Sequence, residues 1–316
     1  MRWTPGGRSS NLEDRRGQAG PGGMGMGGGG GGGPLFSLLA MFVGRKFGIV
    51  GIVVLMGLFA VFGRGFGGGG SAPAPAPGDA RTGGQSAVST GEVARSGGIR
   101  TTPEEEKLVD FVSFVLDNSQ QRWATLAPQQ LGTQYRPARL VLFREAVATG
   151  CGNAPSAVGP FYCPRDERVY IDLSFYDELQ RRYGAPGDFA QAYVLAHEIG
   201  HHLQKVTGTE ARVRQLQSQR PQLKNALSVR LELQADCYAG VWAYGAARES
   251  RLEVGDVDEA LGAAAAVGDD RLQQRSRGDV NPDSFTHGSA AQRQTWFKRG
   301  FESGDARSCD TFAGEV

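Results

Sequence analysis

The chain is predicted to be α+β, a helix-dominated domain with a small antiparallel sheet, preceded by one transmembrane helix. Three observations carry that prediction. Several segments of residues 101–316 repeat apolar side chains at helical spacing, and one of these helices holds two histidines four apart. Two short segments, 139–143 and 168–173, read as strands, the second with period-two alternation. A long uncharged apolar run lies well upstream of both.

Taken in order, the chain begins with a Gly- and Arg-rich arm, residues 1–34. Gly27–Gly33 is an unbroken glycine run. Such composition buries little apolar surface, so the arm is expected to be disordered. The 34 basic and 33 acidic residues nearly cancel, so no nucleic-acid partner is expected.

Residues 35–63 are apolar, interrupted by Arg45-Lys46. The uncharged stretch of about 47–63 is near the short end for a membrane helix. A cleaved signal peptide is disfavoured, because the run starts far from residue 1 and no clear small-x-small site closely follows. Arg2, Arg8, Arg15, Arg16, Arg45 and Lys46 precede it. The expectation is a single-pass membrane protein with a cytoplasmic N-terminus and an extracytoplasmic domain. Residues 64–100 form a linker, flexible at Gly67–Gly70 and stiffer through the Ala-Pro repeat of 72–77.

The folded domain spans 101–316. Thr102-Pro103 is a helix start, and Leu108, Phe111, Val112, Val115 and Leu116 give a buried stripe. Trp123, Ala124 and Leu126 are assigned to a second helix. Segments 139–143 and 168–173 read as strands. The latter is the candidate to pair with an extended substrate, with an ordinary two-sided strand as the alternative.

Pro186-Gly187-Asp188 starts the next helix and Thr207-Gly208 ends it. It contains His197-Glu198-Ile199-Gly200-His201, an H-E-x-x-H motif. Residues four apart share a helix face, so both imidazoles reach one ion, and zinc is the usual one. Glu198 sits beside the ligands, which suits a general base and not a ligand. A metzincin would continue to glycine and histidine, but Gln204 and Thr207 stand there. A gluzincin takes a glutamate from a later helix. The segment Glu232-x-x-x-Asp236 offers one, with Glu232 as third ligand and Asp236 accepting the free ring N–H of His197. His202 is read as structural or cleft-lining. Pro221 starts the Glu232 helix, Asp256 starts another, and Ser289 caps a last one.

The blocks HEIGHHLQ, RLELQADCYAGVWA, THGSAAQRQTWFKRGF and CGNAPSAVGPFYCPRDERVYIDLSFYDEL resemble the neutral zinc metallopeptidase family (YpfJ-like). The resemblance covers the layout of about 1–310 and the motifs of 100–310. It implies a bacterial, membrane-anchored, zinc-dependent peptidase of gluzincin type with a zincin-like domain. It does not name a substrate.

Four cysteines allow three pairings. In an extracytoplasmic domain disulfides are favoured. Cys151–Cys163, closing a short loop, and Cys237–Cys309, tying the tail to the Glu232 helix, are preferred over zinc ligation, which lacks C-x-x-C spacing. His287, just before the last helix, is a candidate oxyanion donor, with a structural loop role as the alternative. The expected activity is endopeptidase cleavage by a Zn2+-activated water, on a peptide or protein substrate. Rival readings are a zinc-stabilised binding domain without catalysis and a zinc amidase on cell-wall peptides. Oligomeric state is open.

Overall fold

The computed structural model describes residues 1–18, 20 and 101–316. The expected linker and membrane helix lie outside these residues. Among the described residues no helix is long and apolar enough to cross a membrane.

Helix α1 (Pro103–Leu126) starts as the sequence suggests, with the Thr102 hydroxyl accepting from the Glu105 amide. It runs through Trp123 without a break, so no second helix begins there. The segment has no internal proline or glycine, and its buried stripe continues from Val109 to Trp123.

Strands follow at β2 (Arg139–Phe143), β3 (Ala146–Thr149), β4 (Gly152–Pro155), β5 (Phe161–Cys163) and β6 (Arg168–Asp172). β1 (Leu12–Asp14) comes from the N-terminal arm. The main sheet has the order β1-β2-β6-β5, and β3 and β4 form a separate antiparallel hairpin. β1–β2 and β2–β6 are parallel, and only β5–β6 is antiparallel. The sheet is therefore mixed, not antiparallel as expected. The β3–β4 hairpin and β5 fill the connection from β2 to β6, which returns the chain in the same direction.

β6 is paired on both sides, so the 168–173 segment has no free edge to offer a substrate. β5 is the edge strand that packs against the helix of the H-E-x-x-H motif. The Cys151–Cys163 disulfide anchors its end.

Six helices follow α2 (Ser174–Arg181): α3 (Asp188–Val206), α4 (Thr209–Gln219), α5 (Lys224–Arg248), α6 (Asp256–Ala266), α7 (Asp269–Arg277) and α8 (Ala290–Ser303). α8 carries a full capping box between Ser289 and Gln292. α3 packs on α5, and α5 on α8. The second crossing is close because glycines face each other's backbones. A Cβ at Gly300 would meet the Cys237 carbonyl oxygen at 1.9 Å, and one at Gly240 would meet that of Phe297 at 2.1 Å.

The arm is ordered over residues 1–18, not disordered as its composition suggested. Trp3 sits edge-on to Phe111 at 5.4 Å. The Arg16 side chain, 1% exposed, pairs with Asp14, Glu105 and Glu106. Local composition misled because the arm is anchored by one aromatic and two arginines, Arg8 and Arg16, whose partners include acids on distant α1. Pairing of β1 with β2 joins the described residues of the arm to the sheet of the folded domain.

Candidate metal centre

α3 presents His197 and His201 one turn apart, and Glu232 faces them from α5. Close approach of these helices depends on Gly200, where a Cβ would meet the Ala235 Cα and carbonyl oxygen at 3.0 Å. One donor atom each from His197, His201 and Glu232 lies within 4.8 Å of the others. His197 Nε2 is 3.2 Å from Glu232 Oε2, and His201 Nε2 is 3.5 Å from Glu232 Oε1. Two imidazole nitrogens and a carboxylate oxygen converging among buried and half-buried side chains match the donor set zinc takes.

Electrostatics agree with that geometry. Burial opposes a charged His197, but the Asp236 and Glu232 carboxylates outweigh it and raise its pKa to about 9. Burial likewise opposes ionised Glu232, yet His201 and His197 hold it well below the carboxylate range. Glu198, buried beside them on α3, is shifted upward by burial, against the pull of His201 and His197. An upward-shifted carboxylate is a better proton acceptor at neutral pH.

Asp236 is fully buried and accepts from His197 Nδ1 at 2.8 Å. The Tyr193 hydroxyl also donates to Asp236 Oδ1, at 2.5 Å. Arg293 on α8 reaches across and donates from Nε to Oδ2 at 2.8 Å and from Nη2 to Oδ1 at 2.9 Å. Sequence reasoning found Asp236 but missed Tyr193 and Arg293. Tyr193 stands one turn before His197, which is the signal that was available. Arg293 had none, since its partner is 57 positions away.

His202 is buried and donates from Nε2 to the Arg136 carbonyl at 2.6 Å, leaving Nδ1 to accept from the Tyr162 hydroxyl at 3.0 Å. It ties α3 to β5 and is structural. His287 has a 38% exposed side chain, and its loop wraps the Asp269 carboxylate. Asp269 Oδ2 accepts the amides of Thr286, His287 and Gly288, while Oδ1 lies 3.1 Å from His287 Nδ1. His287 is near enough to Glu232 to help lower its pKa. Asp188, Asp256 and Glu259 also converge, but the Met1 ammonium lies among them, 2.8 Å from Asp188 and 3.3 Å from Asp256. Both expected disulfides, Cys151–Cys163 and Cys237–Cys309, are present.

A family profile described as "Putative neutral zinc metallopeptidase" matches residues 1–312. The chain belongs to that family. Within it, the chain is 45% identical over 320 residues to "Uncharacterized protein YpfJ" of Escherichia coli strain K12, covering all of both chains. It is 46% identical over 202 residues to "Uncharacterized protein Rv2575" of Mycobacterium tuberculosis, covering 60% of this chain and 66% of that one. No solved structure gives a significant match. Family membership carries zinc and peptidase chemistry at a coarse level.

Proposed function

We propose that the chain is a zinc-dependent endopeptidase of gluzincin type. The observation that carries this is the convergence of His197, His201 and Glu232 donor atoms within 4.8 Å, with buried Glu198 on the same helix but outside that set. A purely structural site has no use for such a base.

His197, His201 and Glu232 would hold the ion between their converging imidazole nitrogens and carboxylate. Bound there, zinc supplies Lewis acidity, polarising a peptide carbonyl and lowering the pKa of water. Glu198 takes the proton of the attacking water and delivers it to the leaving amine nitrogen. His287, oriented by Asp269, donates to the oxygen on which negative charge develops. An extended substrate pairs with the free edge of β5, whose Tyr162 is fixed to His202 beneath it.

The two disulfides support an oxidising, extracytoplasmic compartment for the domain. Because β1 belongs to the same sheet, the arm shares that compartment. The apolar 35–63 region supports attachment to the membrane. The deciding experiment is cleavage of an unstructured protein by the purified chain, with and without chelator and with Glu198→Gln. Chelator-insensitive cleavage, or an active Glu198→Gln, refutes the reading.

A further inference from the structure

We propose that Gln204 and Gln234 are positioning residues that hold His201 in a single tautomer, through a buried amide chain ending on the disulfide-tied tail. This rests on the zinc-site reading above and goes beyond it.

The chain is best followed from the atoms that cannot change role. Gln204 Nε2 lies 2.7 Å from the Leu231 carbonyl oxygen, and Gln234 Nε2 lies 3.0 Å from that of Cys309. A carbonyl oxygen only accepts, so both amide ends facing carbonyls are NH2 groups. The opposite flip would press oxygen on oxygen at those distances. With both flips fixed, Gln234 Oε1 accepts from Gln204 Nε2 at 3.2 Å. Gln204 Oε1 is then the atom 3.0 Å from His201 Nδ1. An amide oxygen cannot donate, so Nδ1 carries the hydrogen. The neutral imidazole keeps its lone pair on Nε2, the nitrogen that faces Glu232 at 3.5 Å.

Both glutamines are sealed from water, Gln204 at 1% and Gln234 at 5% exposure, so water does not compete for these bonds. The far end is equally fixed. Cys309 is joined to Cys237, three positions beyond Gln234 on α5. Thr311 adds a bond from its hydroxyl to the Arg230 carbonyl at 2.6 Å. The two histidines are thus supported differently. His197 leans on an ionised carboxylate, whereas His201 leans on neutral amides that add no charge to the site.

The test measures zinc affinity by chelator competition, together with the His201 imidazole N–H resonance of the 15N-labelled, zinc-loaded full chain. The parent should show an exchange-protected Nδ1–H proton on His201. Gln204→Met should lose that protection and weaken zinc binding by about 10–100-fold, the scale of changes to groups behind a metal ligand. Gln234→Met should give a smaller loss of the same kind, and it keeps the test available should Gln204→Met not fold. The double variant should match Gln204→Met alone, because Gln234 acts only through Gln204. Parental zinc affinity with an unchanged His201 proton in either variant would overturn the proposal, as would additive losses. A parent that binds no zinc removes the zinc-site reading and this proposal together. A parent that binds zinc tightly, with indifferent variants, removes this proposal alone.

Discussion

Arg293 clamps Asp236 with two hydrogen bonds, 2.8 Å to Oδ2 and 2.9 Å to Oδ1, and neither side chain has appreciable contact with water. Asp236 in turn orients His197. Removing the guanidinium leaves a buried carboxylate with only the His197 imidazole and the Tyr193 hydroxyl as partners. Arg293→Met should cost about 3–5 kcal/mol of stability, as breaking a buried pair does. It should also weaken zinc binding by roughly 10–100-fold. Denaturant melts and zinc titration on the same sample check both, and parental values for both would show that Asp236 needs no clamp.

The division of labour between ligands and base is separable. Glu198→Gln should keep stoichiometric zinc and lose at least about a hundredfold in activity, the usual scale for a general base. Glu232→Ala should lose much of the metal, since two histidines alone hold zinc poorly. Elemental analysis beside peptide cleavage distinguishes the two. Full metal in Glu232→Ala would place the third ligand elsewhere.

His197 makes stability depend on pH with a defined sign. Its folded pKa of about 9 lies above the ordinary value of 6.5, so proton binding favours the folded metal-free chain. That contribution is fully present below about 6.5 and is lost as pH rises through about 9. His201 is shifted in the same direction, by Glu232 against burial. Thermal melts of chelator-treated protein between these limits should show the midpoint falling with pH. Zinc displaces the same protons, so its affinity should rise over that window. A metal-free midpoint that climbs with pH would contradict this.

Because β1 and β2 are hydrogen-bonded neighbours, residues 1–18 and 101–316 are expected to share one side of any membrane. Single cysteines at exposed Gly6 and Lys298 test this with a membrane-impermeant maleimide on intact cells. Both should label. Labelling of Lys298→Cys with protection of Gly6→Cys would restore the single crossing.

The helix starts at Thr102, Asp188 and Ser289, the metal-ligand spacing of His197 and His201, and the partner acid Asp236 were all legible in the chain itself. The helix starts and the histidine spacing are local patterns, set by helix periodicity or by capping within a few residues, whereas Asp236 was found from its spacing to Glu232 although its partner His197 lies on another helix. The disulfide pairing was legible for a related reason, since few partners were available. What escaped were the strand pairings and the Tyr193 and Arg293 contacts to Asp236, which depend on distant segments meeting. β1 is only Leu12–Asp14, too short for a periodic signal, and its strand state exists because β2 supplies the hydrogen bonds. Whether β6 or β5 was the open edge depended on sheet order, which no single strand encodes. Arg293 reaches Asp236 only because Gly240 and Gly300 let α5 and α8 touch backbone to backbone. Sequence alone thus singled out the candidate residues for the proposed chemistry, through short-range spacing. Tertiary structure decided what orients them, because buried polar groups take their partners from whichever backbone or side chain packing brings near.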